Sequence, residues 1–156
     1  MSLLEKMPNL PDPKVLDSWA LLAWIRNEMP AADAVEEYLR QADGGEALLF
    51  MSWINVGEVY YILVRKNGLN AADAFMLRLP SLPIRVVAPN EEDIMSAARL
   101  KATRRISYAD AFAISLALKE NAWIVTGDPE IRDCVSDVEW IGSPTQKDEE
   151  DAAPEH

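Results

Sequence analysis

Histidine and cysteine are nearly missing from this chain of 156 residues, which has one of each. The histidine, His156, is the last residue of an acidic tail, so no Ser–His–Asp triad, Cys–His pair or His–His acid–base pair can be built. Cys134 has no second cysteine for an internal disulfide and no companions for a Cys/His zinc site, which points to the cytoplasm. Glycine is sparse, at six residues, and neither G-x-x-x-x-G-K-[ST] nor G-x-G-x-x-G occurs, so nucleotide cradling by a Gly-rich loop is unsupported. No apolar run approaches the roughly 18 residues of a membrane helix. Residues 1–13 carry Glu5 and Lys6, and their apolar stretch is too short for a signal peptide. Polar chemistry here must therefore run on carboxylates, hydroxyls and Lys/Arg.

What the chain has in excess is acid: 26 Asp+Glu against 15 Lys+Arg, a formal charge of −11. Such a balance usually serves solubility, and it counts against a broad nucleic-acid surface, because phosphate contacts need cations. Part of the excess is local. Residues 147–156 hold five acids and one lysine, with Pro154 and no apolar periodicity. Residues 143–156 are expected to form a disordered acidic tail, and 1–13 an irregular leader. A basic run, Arg99, Lys101, Arg104 and Arg105, interrupts the acidity. Its plain reading is a solvated helix end, where cations suit the helix dipole.

Between these ends, hydrophobic patterning predicts one α/β domain over 14–142. Strands are expected at 14–16, 47–51, 83–88, 122–126 and 138–141. Helices are expected at 18–28 (closed by Pro30), 31–42, 53–66, 70–79, 90–103 and 107–121, with a short helical turn at 128–134. The alternation implies a mostly parallel central sheet of four or five strands with helices on both faces. In such sheets ligands bind outside the carboxyl ends of the strands.

Four acids stand out against that frame. Asp17 ends the first strand and Asp128 follows the fourth, so parallel strands bring both to one pole. Each also suits a plainer role as a helix N-cap, Asp128 with Pro129 at the next position. Asp110 closes Ser107-Tyr108-Ala109-Asp110, an S-x-x-D capping box, yet its helical neighbours Ile106, Ala113, Ile114 and Ala117 are apolar. Glu58 lies in the apolar helix 53–66 beside Asn55, Ile54, Tyr61 and Ile62, with Arg65 or Tyr61 as its available partners. A buried carboxylate needs a partner or takes up a proton. One cause would account for all four: an oxygen-ligand site for Mg²⁺ or Mn²⁺, which removes the repulsion among clustered acids.

At these residues the chain resembles the PIN-domain ribonucleases, specifically the toxins of VapBC-type toxin–antitoxin pairs. The matching stretches are Val15-Leu16-Asp17-Ser18, Asn55-Val56-Gly57-Glu58-Val59, Ser107 through Ala117, and Ile124-Val125-Thr126-Gly127-Asp128. The resemblance spans about residues 14–142 and implies a PIN-like three-layer fold. It places the family's acidic quartet on Asp17, Glu58, Asp110 and Asp128, as catalytic and metal-holding groups, with Ser18 and Thr126 as hydroxyls that orient them. It further implies Mg²⁺- or Mn²⁺-dependent endonucleolytic cleavage of RNA, homodimers and inhibition by a cognate antitoxin protein. Lys101, Arg104 and Arg105 are the candidate guides for the RNA backbone.

Two other readings stay open at this point. An aspartyl-phosphate phosphatase or receiver domain also uses an Asp after its first strand, although Trp19 stands where the phosphatase pattern needs a second Asp. A non-catalytic interaction protein of the same fold would bind partners through Trp19, Trp24 and Trp53.

Overall fold

The computed structural model describes residues 13–144. The expected leader and acidic tail lie outside the described residues, apart from Pro13, Ser143 and Pro144. In chain order the elements are β1 (Lys14–Leu16), α1 (Ser18–Ile25), α2 (Ala31–Asp43), β2 (Leu49–Ser52), α3 (Trp53–Asn67), α4 (Leu69–Arg78), β3 (Arg85–Val87), α5 (Glu91–Thr103), α6 (Tyr108–Lys119), β4 (Trp123–Thr126), α7 (Pro129–Arg132) and β5 (Val138–Trp140). A 3-10 turn, Leu79–Ser81, extends α4.

The five strands form one sheet in the order β3-β2-β1-β4-β5, and every pairing is parallel. β1 is therefore central, with Val15 beside both Phe50 and Ile124. Side chains alternate between the two faces, as strand geometry requires. Val15, Phe50 and Ile124 pack with Ala97, Ile106, Ala113 and Ile114 from the α5–α6 side. Leu16, Leu49 and Val125 pack with Ala20, Ala23, Val35 and Leu39 from the α1–α2 side. Met51 leads into a third cluster with Leu21, Val56, Val59, Leu63 and Phe75, which seats α3 and α4. Helix α6 is buried without interruption from Asp110 to Ala117, and its small residues Ala111, Ala113 and Ala117 let it lie close to the sheet.

Helix ends are where sequence expectation and structure part. α1 stops at Ile25, three residues before the expected 28, because Asn27 adopts a left-handed conformation (φ 55°). Its N–H donates to the Trp24 carbonyl and that of Glu28 to the Ala23 carbonyl, a Schellman closure. The same closure ends α6 at Asn121 (φ 51°) and α2 at Gly45 (φ 76°). Pro30 is thus not what terminates α1. The strands expected at 83–88, 122–126 and 138–141 are shortened to the lengths above, and the one expected at 47–51 starts two residues later and runs on to Ser52.

The packing carries a direct test. Ile124 is fully buried at the heart of the sheet, and Ile124→Ala should lower the unfolding free energy by about 2–5 kcal/mol in a denaturant titration. Leu77→Ala, at a position 84% exposed, should stay within about 0.5 kcal/mol of the parent.

Candidate active site

All-parallel pairing sends β1 and β4 out at the same pole, and the acids following them meet there. Asp17 is 2% exposed. One carboxylate oxygen, Oδ1, accepts the Ala20 N–H at 2.8 Å and so caps α1. The other, Oδ2, accepts the hydroxyl of Thr126, the buried last residue of β4. That same hydroxyl oxygen accepts the Asp128 N–H at 2.9 Å. Thr126 thus ties the two aspartates together through one oxygen. Asp128 caps α7, taking the Glu130 N–H on Oδ1 at 2.9 Å.

Asp110 enters from α6. It completes a reciprocal capping box, with its Oδ2 accepting the Ser107 N–H at 3.2 Å and its own N–H donating to Ser107 Oγ at 3.0 Å. Carboxylate oxygens of Asp110, Asp128 and Glu130 all lie within 4.8 Å of one another. Asp17 and Glu58 stand outside this tight trio but within its field.

The electrostatics record that field. Burial pushes the Asp17 carboxyl up to about 7, against the opposing bonds from Thr126 and Ala20, and the charges of Asp110 and Asp128 raise it further. Burial likewise pushes Asp110 up to about 6, against its bonds with Ser107, with the charges of Asp128 and Glu58 adding to the rise. Glu58 is half-buried, not enclosed as its apolar helix suggested. Arg65 lies over the Tyr61 ring, 5.2 Å from its centre, and forms no ion pair with Glu58 among the described residues.

Several expected residues take different places. The Ser18 hydroxyl does not turn to the acids. It donates to the Asn55 carbonyl and accepts from the Asn55 amide, both at 3.2 Å. The Lys101 ammonium is spent on the Ile106 carbonyl at 2.7 Å, bracing the α5–α6 connection. Arg104 lines a cavity of about 320 Å³ with Asn121, Ala122 and Ile124, at the opposite end of β4 from Asp128. Arg105 is exposed. Trp19 packs over Gly127, where an added Cβ would come within 2.2 Å of its ring. Trp24 donates its Nε1–H to Glu36 at 2.7 Å and carries Arg78 over its ring. Of the three tryptophans offered as a partner surface, only Trp53 is exposed. Asp17 has both oxygens engaged below the surface, which makes it a poor acceptor of a phosphoryl group.

Sequence reasoning passed over Glu130. Its signal was its position, in the first turn of a helix that opens at the strand pole, two residues after Asp128.

Negative side chains thus gather at the carboxyl ends of a parallel sheet, Asp128 and Glu130 from one connection and Asp110 from another, in a group that could hold a cation. The chain belongs to the PIN domain family, whose model matches residues 14–134. No curated protein matches it in sequence. Similar solved structures include the Mycobacterium tuberculosis VapC20 toxin that cleaves the sarcin–ricin loop, at 17% identity and TM-score 0.63, covering 77% of this chain and 93% of that one. VapBC2 from Rickettsia felis, bound to a promoter DNA fragment, is 14% identical, with TM-score 0.63 and coverage of 84% and 98%. DNA-bound VapBC from Salmonella typhimurium is 13% identical, with TM-score 0.63 and coverage of 82% and 96%. At these identities the likeness is one of fold.

The raised carboxyls fix the sign of a pH effect. Asp17 and Asp110 bind protons more tightly folded than unfolded, so their contribution to stability is present below the ordinary carboxylate range and is lost as pH rises through about 6 to 7. In EDTA the melting temperature should therefore fall between about pH 5 and about pH 8. Asp17→Asn, which removes the most buried charge, should flatten that fall. A wild-type melting temperature that climbs steadily over this range would contradict the charge coupling.

Proposed function

We propose that this PIN domain is a divalent-cation-dependent endoribonuclease acting in the cytoplasm as the toxin of a toxin–antitoxin pair. The observation that carries the proposal is the convergence of Asp110, Asp128 and Glu130 to within 4.8 Å, with the charges of Asp17 and Glu58 acting on the same cluster. All-carboxylate donors suit Mg²⁺ or Mn²⁺ and not a softer metal. On this reading Asp17, Glu58, Asp110 and Asp128 hold the cation, and Glu130 joins them. A bound divalent cation would supply the positive charge that acidifies water and offsets charge developing on a phosphate.

The chain's own residues have defined parts in this arrangement. Thr126 donates to Asp17 and accepts from the Asp128 backbone, so it holds the carboxylate of one against the mount of the other. Ser107 orients Asp110 through the capping box. Trp19 packs on Gly127 and so braces the turn that carries Asp128. Of the three candidate guides, Lys101 is bonded to the Ile106 carbonyl and Arg104 lines the cavity at the other end of β4, which leaves exposed Arg105 as the better placed.

RNA as substrate is supported by the M. tuberculosis neighbour, a sarcin–ricin loop cleaving toxin. A cognate antitoxin is supported by neighbours solved as VapBC or toxin–antitoxin complexes. An arginine of that partner is a natural substitute for the cation. Association as a homodimer belongs to the same proposal; exposed Trp53, Ile54 and Tyr61 on α3 offer apolar area for it. A non-catalytic interaction module would leave the acid cluster without a purpose.

The test is cleavage of single-stranded RNA by the purified protein. Activity should require Mg²⁺ or Mn²⁺ and disappear in EDTA. Asp110→Asn and Asp128→Asn should each lose more than about 100-fold, beyond the roughly 10–100-fold that outer-shell changes cost. The double variant should lose little more, because both acids serve one cation. Activity that survives EDTA and these substitutions would contradict the proposal.

A further inference from the structure

Asn55 is 0% exposed, in the first turn of α3. A polar amide in that place needs a reason, because an unmet buried polar group costs about 1–3 kcal/mol and an aliphatic residue would avoid the risk. Its Nδ2 uses both hydrogens. One goes to Ser18 Oγ at 3.2 Å and the other to the Ala109 carbonyl at 3.0 Å. Ser18 answers by donating to the Asn55 carbonyl. The second half of the amide, Oδ1, has no hydrogen-bond partner among the described residues.

The partners share a feature. Ser18 directly follows Asp17, Ala109 directly precedes Asp110, and Asn55 lies one helical turn before Glu58 on the same helix. One buried amide therefore joins α1, α3 and α6, the three helices next to or carrying those acids. Like charge sets Asp110 against both Asp17 and Glu58, and the amide ties their mounts together.

On the reading that these acids share a cation, we propose that Asn55 is a positioning residue that sets the spacing of Asp17, Glu58 and Asp110 for cation binding. Residue type matters to this role. Aspartate has no N–H for the Ala109 carbonyl and would add another negative charge. Leucine has the same branched shape, is somewhat bulkier, and has no donor at all. Serine is too short to reach both partners. The aspartates and glutamate can bind a cation only if the helices present them together, and core packing alone leaves helices free to slide by fractions of an ångström.

The experiment is a titration of Mn²⁺ alone into the metal-free, full-length protein. Free Mn²⁺ is read by electron paramagnetic resonance at a temperature well below each variant's melting point, and cooperative thermal unfolding is measured in parallel. Asn55→Leu and Asn55→Asp should fold and bind Mn²⁺ about 10- to 100-fold more weakly than the parent. Ser18→Ala, which keeps the Ala109 bond, should show a smaller loss. A folded Asn55→Leu protein with parental Mn²⁺ affinity, even with a lowered melting temperature, would overturn the positioning role while leaving the cation site intact. If Asn55→Leu does not fold, Ser18→Ala decides: a several-fold loss supports the role, and unchanged affinity overturns it. A parent protein that binds no Mn²⁺ would instead overturn the cation site itself.

Discussion

Repulsion among half-hidden carboxylates is the constraint around which this molecule is organised. Carboxylates of Asp110, Asp128 and Glu130 come within 4.8 Å of one another, the charges of Asp17 and Glu58 act on the same group, and burial already disfavours charge at Asp17 and Asp110. A fold does not gather them without compensation. Here the compensation is built from helix N-termini. Asp17 caps α1, Asp128 caps α7, and Asp110 completes the capping box of α6. Each sits where orphan N–H groups and the positive end of the helix dipole favour an anion. The pKa of Asp17 stays well above the usual range in spite of its bonds, so this compensation is partial. The remainder is what a cation would relieve.

The choice between helix cap and functional acid therefore dissolves. Read singly, Asp17, Asp110 and Asp128 each looked adequately explained as caps. Capping is the means by which the backbone holds them at the pocket. One oxygen of each carboxylate is committed to the helix, and the parallel sheet aims the rest of the group at its neighbours. Thr126 shows the same economy, serving Asp17 with its hydrogen and Asp128 with its lone pair.

Much of this was legible in the sequence because it rests on local rules. Strand–helix alternation pointed to the parallel sheet, and the apolar runs KVL, ALLFM and AWIVT sat close to the observed strands. Ser107-Tyr108-Ala109-Asp110 announced its capping box. What was not legible depends on backbone conformation or on distant partners. The left-handed Asn27, which ends α1 early, looks like any other polar residue in a helix. Ser18 turns to Asn55, 37 positions away, and not to the acid beside it. Glu130 joins the cluster only because α7 begins at the pole. Lys101 donates to a carbonyl five residues on, a contact that composition does not reveal.

The family's fold explains why so few residues need to coincide. Asp17 after β1, Asp110 at the start of α6 and Asp128 after β4 are separated along the chain, yet each lies at an element end, while Glu58 comes from the second turn of α3. The central claim is that these acids form a single cation-holding cluster. Its most direct measurement is anomalous scattering from a crystal of the protein equilibrated with Mn²⁺. The expected result is a peak bounded by carboxylate oxygens of Asp110 and Asp128 and facing Asp17 and Glu58. A peak elsewhere, or none, would contradict it.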